Sequence, residues 1–127
     1  MNKKILVIDD EVMITSTLKR LLGKSGYDVV IVNSGQNAID VCAKEEFDLI
    51  ISDIRMPGID GVETLKRIKE YSAQNRQAKM PIIFITGYAD EGLELKAKNL
   101  GYDDYIYKPF DLKTFLERVQ TVLGKKG

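Results

Sequence analysis

Five short apolar runs, separated by segments of a different period, constrain the fold of this chain more than any other feature. The runs cover residues 4–8, 28–32, 49–53, 81–86 and 104–108. They are mostly apolar throughout instead of alternating with polar residues, which is typical of strands buried on both faces of a sheet. Between the runs, apolar residues recur every three or four positions, which predicts amphipathic helices.

The fivefold alternation of strand and helix predicts an α/β fold, with a parallel sheet that carries helices on both faces. Each connection contains a helix, so each is long enough for a right-handed crossover. In an open sheet of this type, ligands bind at the carboxyl ends of the strands, near the point where the strand order reverses. We therefore expect the functional residues at those ends.

Length and charge limit the function classes. The 127 residues suffice for one ordinary domain, which we place at residues 1–124, with residues 125–127 as a tail. Lysine plus arginine equals aspartate plus glutamate, at 19 each, which argues against a nucleic-acid-binding surface. No apolar run approaches the roughly 20 residues needed to span a bilayer. The chain has one cysteine, Cys42, so a reducing, cytoplasmic location is expected and Cys42 is interpreted as a small buried hydrophobe.

Polar side chains stand at the carboxyl ends of four of the predicted strands. Asp9 and Asp10 follow the first strand, Asp53 ends the third, Thr86 ends the fourth and Lys108 ends the fifth. Three carboxylates in one cleft repel each other unless a cation is bound, and a hard divalent ion such as Mg²⁺ prefers oxygen ligands. A carboxylate beside such an ion can act as a nucleophile toward phosphorus, and Lys108 can pair with an incoming anion.

This pattern resembles the receiver domains of two-component response regulators. The resemblance rests on the two aspartates after the first strand, residues 52–61, Thr86 with Gly87, and residues 105–110. It extends over essentially the whole chain, and its motifs are specific when taken together. It implies a doubly wound (βα)5 fold of the flavodoxin or CheY type, with strand order 2-1-3-4-5.

The resemblance also assigns the phosphoacceptor and the metal ligands. It implies that Asp53 accepts the phosphoryl group. Asp10, Asp53 and the backbone carbonyl of Arg55 would hold Mg²⁺ or Mn²⁺, with Asp9 acting through water.

Further roles follow from the same resemblance. Lys108 would contact the phosphoryl group, and its peptide bond to Pro109 is expected to be cis. Thr86 and Tyr105 would form the switch pair. Arg55 and Tyr88, each two residues after a site residue, would restrict water access and so slow hydrolysis of the phosphorylated form.

Each of these residues also has an interpretation without function. Asp10 alone is well explained as a helix N-cap, Thr86 as the end of a strand, Lys108 as a solvated lysine and Tyr105 as packing. The functional interpretation is favoured because four separate strands each end in the group that the site requires.

Two other function classes share parts of this pattern. A phosphatase or phosphotransferase with an aspartate nucleophile commonly carries a second aspartate two positions later, where this chain has Arg55. A flavodoxin-like cofactor binder needs a loop rich in glycine or hydroxyl groups after the first strand, where this chain has three acidic residues.

A degenerate receiver is disfavoured because every acceptor-site residue is present. We expect a phosphorylated signalling switch and not an enzyme, with only self-phosphorylation from a donor and autodephosphorylation.

The partners follow from the absence of histidine. The resemblance implies a phosphohistidine donor, which must then lie on a sensor histidine kinase or a histidine phosphotransfer protein. A downstream output domain or protein is expected, and the sequence leaves open whether the chain acts alone or within a longer protein.

Asp104 and Arg118 match positions that a dimerising subclass uses, whereas Glu94 and Thr114 depart from its pattern.

Overall fold

In a computed structural model of the protein, residues 2–87 and 90–124 are described, and five strands alternate with five helices. The strands are β1 (Lys4–Ile8), β2 (Asp28–Val32), β3 (Leu49–Asp53), β4 (Ile82–Thr86) and β5 (Asp104–Tyr107). The helices are α1 (Val12–Lys24), α2 (Gly35–Cys42), α3 (Gly61–Gln74), α4 (Glu91–Leu100) and α5 (Leu112–Gly124). The strand bounds expected from the sequence agree with these to within one residue.

All five strands are parallel and form one sheet in the order β2-β1-β3-β4-β5. The predicted α/β class, doubly wound arrangement and strand order are therefore confirmed. The order reverses at β1, because the chain leaves β1 toward one edge and returns to β3 on its other side. The carboxyl ends of β1 and β3 flank this switch point, where open α/β sheets bind ligands.

The sheet separates two apolar layers. Alternate strand residues point to opposite faces, and helices pack against both faces. One layer packs the sheet against α1 and α5, through buried residues that include Val7, Ile51, Ile85, Leu18 and Phe115. The other packs it against α2, α3 and α4, through buried residues that include Leu6, Ile50, Phe84, Leu65 and Ala97.

Cys42 lies in the second layer with 3% of its surface exposed. Burial raises the pKa of its thiol to about 12, so the side chain packs as a small apolar group, as expected. None of the helices in the described ranges has the length and apolar character needed to cross a membrane.

The first turn of α3 packs directly against the end of β3. Asp60 caps the helix, because its carboxylate accepts a hydrogen bond of 2.8 Å from the backbone N–H of Glu63. The backbone N–H of Gly61 donates to the carbonyl of Ile54 at 2.7 Å. A Cβ at Gly61 would lie 2.1 Å from the backbone oxygen of Asp53. Only a residue without a side chain allows this approach, which fixes the position of the strand end.

We expect Gly61→Ala to lower the free energy of unfolding by about 1–3 kcal/mol, the usual cost of overpacking. The added methyl group overlaps the backbone oxygen of Asp53, so the end of β3 or the start of α3 must move. Gly23→Ala in α1 is the matched control, because a Cβ there meets nothing within 4 Å and gains up to about 1 kcal/mol in helix propensity. Urea unfolding of both variants tests this, and a Gly61→Ala variant as stable as Gly23→Ala would contradict it.

Candidate functional site

The carboxyl edge of the sheet brings the predicted acidic residues together. Asp9 follows β1 directly and Asp53 is the last residue of β3, and both carboxylates are almost completely buried, with 1% and 5% of the residue surface exposed. Asp10 lies beside them and is exposed. One carboxylate oxygen from each of the three lies within 4.8 Å of the others.

Lys108, which follows β5, extends its ammonium group into this cluster. Its Nζ donates to Asp9 Oδ2 at 3.3 Å, to Asp53 Oδ2 at 3.3 Å and to Glu11 Oε1 at 2.8 Å. Burial alone would lower the pKa of Lys108, but the hydrogen bond to Glu11 and the charges of Asp53 and Asp9 outweigh it and raise the pKa above its usual value. The side chain therefore remains a cation throughout the physiological pH range.

The buried carboxylates are nevertheless short of positive charge. Burial, reinforced by the charge of Asp9, raises the pKa of Asp53 to about 6, although Lys108 acts in the opposite direction. Burial likewise raises the pKa of Asp9, against hydrogen bonds from the backbone of Glu11, at 2.9 Å, and from Lys108. Four acidic side chains, Asp9, Asp10, Glu11 and Asp53, thus lie at this edge of the sheet, and the ammonium of Lys108 bonds three of them. This arrangement favours binding of a further cation.

A divalent cation fits this donor set. Carboxylate oxygens are the ligands that Mg²⁺ prefers, and an exposed Asp10 beside two buried carboxylates leaves room for the waters that Mg²⁺ retains. The structure therefore brings three of the predicted ligands together. Arg55, whose carbonyl was predicted as a fourth ligand, lies in the exposed loop after β3, and its role stays a prediction.

The end of β4 is joined to Lys108 through the backbone. Thr86, 1% exposed, is the last residue of β4, and its carbonyl accepts a hydrogen bond of 2.7 Å from the backbone N–H of Lys108. The Lys108–Pro109 peptide bond is cis. Tyr88, predicted to slow hydrolysis, lies outside the described residues.

Tyr105 lies half-buried in a cluster of aromatic rings. Its ring centroid is 6.5 Å from Phe84, 5.3 Å from Tyr102 and 5.2 Å from Tyr107, and burial raises the pKa of its hydroxyl to about 12. In the register of β4 with β5, Phe84 pairs with Tyr105 and Thr86 pairs with Tyr107. Because residues two apart share a face, Tyr105 is a diagonal neighbour of Thr86.

Comparison with known proteins agrees with this geometry. The family model for the response regulator receiver domain matches residues 5–120. The chain belongs to the response regulator receiver family.

Relatives of this receiver domain include a curated protein and many solved structures. The alkaline phosphatase synthesis transcriptional regulatory protein PhoP of Bacillus subtilis (strain 168) is 37% identical over 125 residues. That match covers 98% of this chain and 50% of PhoP, so the chain spans about half the length of this relative.

Two solved structures illustrate the structural likeness. A CheY-like receiver domain protein of Methanospirillum hungatei JF-1 is 30% identical with a TM-score of 0.89, and the match covers 100% of both chains. The receiver domain of a sensor histidine kinase of Pseudomonas aeruginosa PAO1, which has a magnesium ion coordinated in its active site cleft, is 27% identical with a TM-score of 0.83. That match covers 98% of this chain and 99% of the other.

Sequence reasoning missed one residue of the receiver site, Glu11. It occupies the N-cap position of α1 but makes no capping hydrogen bond with its side chain, which reaches Lys108 instead. The N-cap interpretation of Asp10 is therefore wrong. The available signal was a third consecutive acidic residue in a loop that faces the predicted lysine.

The surface formed by α4, β5 and α5 carries contacts within the chain that were also missed. Arg118 of α5 pairs with Asp104 of β5, with Nε donating to Oδ2 at 2.8 Å. The hydroxyl of Tyr107 donates to Glu94 Oε1 at 3.0 Å. Two residues considered for a dimer contact thus pair with each other in the single chain, and β5 is joined to both flanking helices.

The raised pKa of Asp53 predicts a pH-dependent gain in stability for Asp53→Asn. Between its ordinary value of 3.8 and about 6, folded protein binds more protons than unfolded protein, so stability declines as the pH rises through this window. Asn removes that penalty. We expect a gain in the free energy of unfolding of up to about 3 kcal/mol at pH 7.5, because the pKa of about 6 already includes the effect of Lys108. The gain should shrink toward zero as the pH falls to about 4.

Urea unfolding in EDTA from pH 4 to 7.5 measures this gain. Asp40→Asn is the matched control, because Asp40 is exposed on α2 and accepts from Gln36 through an oxygen that asparagine retains. Its effect should be small at every pH. A gain for Asp53→Asn that is equally large at pH 4 and 7.5 would show that burial of the charge is not its cause.

Proposed function

We propose that this receiver domain, residues 1–124, is a phosphoacceptor of a two-component phosphorelay and that Asp53 receives the phosphoryl group. One observation carries the proposal: a buried carboxylate at a strand end faces the ammonium of Lys108 and two further aspartates. An oxygen of Asp53 would attack phosphorus, the bond from phosphorus to the donor nitrogen would break, and Lys108 would stabilise the negative charge on the phosphoryl oxygens.

We propose that the site uses Mg²⁺, or Mn²⁺, held by Asp10, Asp53 and the carbonyl of Arg55, with Asp9 acting through water. The acidic cluster and the raised pKa of Asp53 support this, as does the Pseudomonas aeruginosa relative with its coordinated magnesium ion. When bound, the ion would neutralise the carboxylates and the incoming phosphoryl oxygens. Asp9, whose carboxylate already bonds Lys108 and the backbone of Glu11, would orient the ammonium.

The donor and the output are separate parts of the proposal. Because the chain has no histidine, a phosphohistidine must come from another domain, on a sensor histidine kinase or a histidine phosphotransfer protein. The phosphorylated form would act on an output domain or protein. We propose a cytoplasmic location for this exchange.

Phosphorylation should require both Asp53 and Mg²⁺. Incubation with acetyl phosphate and Mg²⁺ should add the mass of one phosphoryl group to the intact protein. The gain should disappear in Asp53→Asn, which removes the nucleophile, and in excess EDTA. Asp40→Asn, at an exposed position away from the site, should be phosphorylated like the unsubstituted protein. A gain that persists in Asp53→Asn would refute the assignment.

We further propose that phosphorylation moves Thr86 and Lys108 toward the phosphoryl oxygens and that Tyr105 then rotates into the space that Thr86 vacates. The backbone hydrogen bond between Thr86 and Lys108 and the diagonal position of Tyr105 support coupled movement. The surface that changes would comprise α4, β5 and α5, because Tyr107 and Arg118 join these elements.

The free energies of the proposed contacts indicate that more than one of them would be needed to drive this switch. Moving a two-state equilibrium from 1:99 to 99:1 needs about 5.5 kcal/mol of differential stabilisation. A hydrogen bond to a charged group contributes only about 1.5–3 kcal/mol. The hydroxyl of Thr86 alone would shift the population part of the way, so Lys108 must contribute as well.

Amide NMR with and without beryllofluoride, which stands in for the phosphoryl group on Asp53, tests the switch. In the unsubstituted protein, we expect shifts across β5 and α4. In Thr86→Ala, shifts near Asp53 should persist while those at residues 104–107 shrink. Thr121→Ala on α5, at an exposed hydroxyl, is the control and should behave like the unsubstituted protein. Full shifts at residues 104–107 in Thr86→Ala would disprove the coupling.

A further inference from the structure

Glu11 makes the shortest contact of the Lys108 ammonium, although the proposed function gives its side chain no role. Its Oε1 lies 2.8 Å from Nζ, whereas Asp9 and Asp53 lie at 3.3 Å. The side chain of Glu11 is 58% exposed, against 0% for Asp9 and 7% for Asp53. Lys108 is thus held between two buried carboxylates and one at the solvent edge.

The position of Glu11 in the chain makes this contact possible. It is the N-cap residue of α1 in an extended conformation, and its side chain makes no capping hydrogen bond. Its backbone N–H donates to Asp9 Oδ1 at 2.9 Å. The backbone of Glu11 therefore orients one buried carboxylate of the site, and its side chain orients the ammonium.

We propose that Glu11 is a positioning residue that holds Lys108 at the solvent edge of the site in the resting protein and releases it when an anion binds at Asp53. This inference rests on the proposed function. In the resting protein, the pairing withdraws positive charge from Asp9 and Asp53 and leaves their oxygens available to a cation. Once an anionic phosphoryl group is present, Glu11 competes with it for the same ammonium.

The two states give opposite signs for the effect of Glu11→Gln. Without the carboxylate, Lys108 pairs more strongly with Asp9 and Asp53 and repels a divalent cation, so the affinity for Mg²⁺ should fall about two- to fivefold, the range of partly exposed ion pairs. At saturating Mg²⁺, the affinity for beryllofluoride should rise about two- to fivefold, because the competitor for Lys108 is gone. A general loss of structure would weaken both.

Binding of Mg²⁺ by calorimetry and of beryllofluoride by amide NMR, at one ionic strength, tests this. Glu70→Gln is the matched control, because it removes the same charge at an exposed position near the far end of α3. In this variant the affinities for Mg²⁺ and for beryllofluoride should stay unchanged. Glu11→Gln should also weaken Mg²⁺ binding much less in a Lys108→Met background, where no ammonium is left to be positioned.

The outcomes separate the two proposals. If the unsubstituted protein binds neither Mg²⁺ nor beryllofluoride, the proposed function fails and the role of Glu11 with it. If it binds both but Glu11→Gln behaves like Glu70→Gln, or changes both affinities in the same direction, only the role of Glu11 is overturned. An equal effect on Mg²⁺ binding with and without Lys108 would overturn it as well.

Discussion

The contact between Lys108 and two buried carboxylates is the interaction on which the site depends. Asp9 and Asp53 are almost completely buried, and an unpaired charge in such a position costs several kcal/mol. Lys108 must also reach them across β4, because neighbouring strands lie about 4.8 Å apart and β5 is two strands from β3. Its stem passes 3.8 Å from where a Cβ of Gly87 would lie. A long cationic side chain after the edge strand meets both requirements.

Much of the fold could be predicted because it follows from local patterns. Continuous apolar runs determine the strands, so the expected strand bounds agree with the structure to within one residue. The three-to-four period determines which helix faces are buried. The grouping of Asp9, Asp10 and Asp53 follows from the parallel sheet itself, since parallel strands place their carboxyl ends at one edge. These are properties that neighbouring residues, or topology alone, impose.

Contacts between distant side chains could not be predicted in this way. Glu11 and Lys108 are 97 residues apart, and no period or spacing connects them. Tyr107 and Glu94 lie on different elements, β5 and α4, and their hydrogen bond depends on how α4 lies against β5. The alternative, non-functional interpretation of Asp10 as an N-cap was wrong because α1 begins at Val12 and its N-cap residue is Glu11, whose side chain bonds Lys108.

A site short of positive charge is well suited to a switch. In the proposed function, the acidic side chains at this edge would favour a cation in the resting protein, and the bound cation would then favour an anionic phosphoryl group that the carboxylates alone would repel. Lys108 would have partners in both conditions, so its position would depend on which charge is present. Because its backbone bonds Thr86 and the adjoining β5 bonds α4 through Tyr107, a change of partner at Lys108 would have a continuous chain of hydrogen bonds and strand residues to the surface of α4.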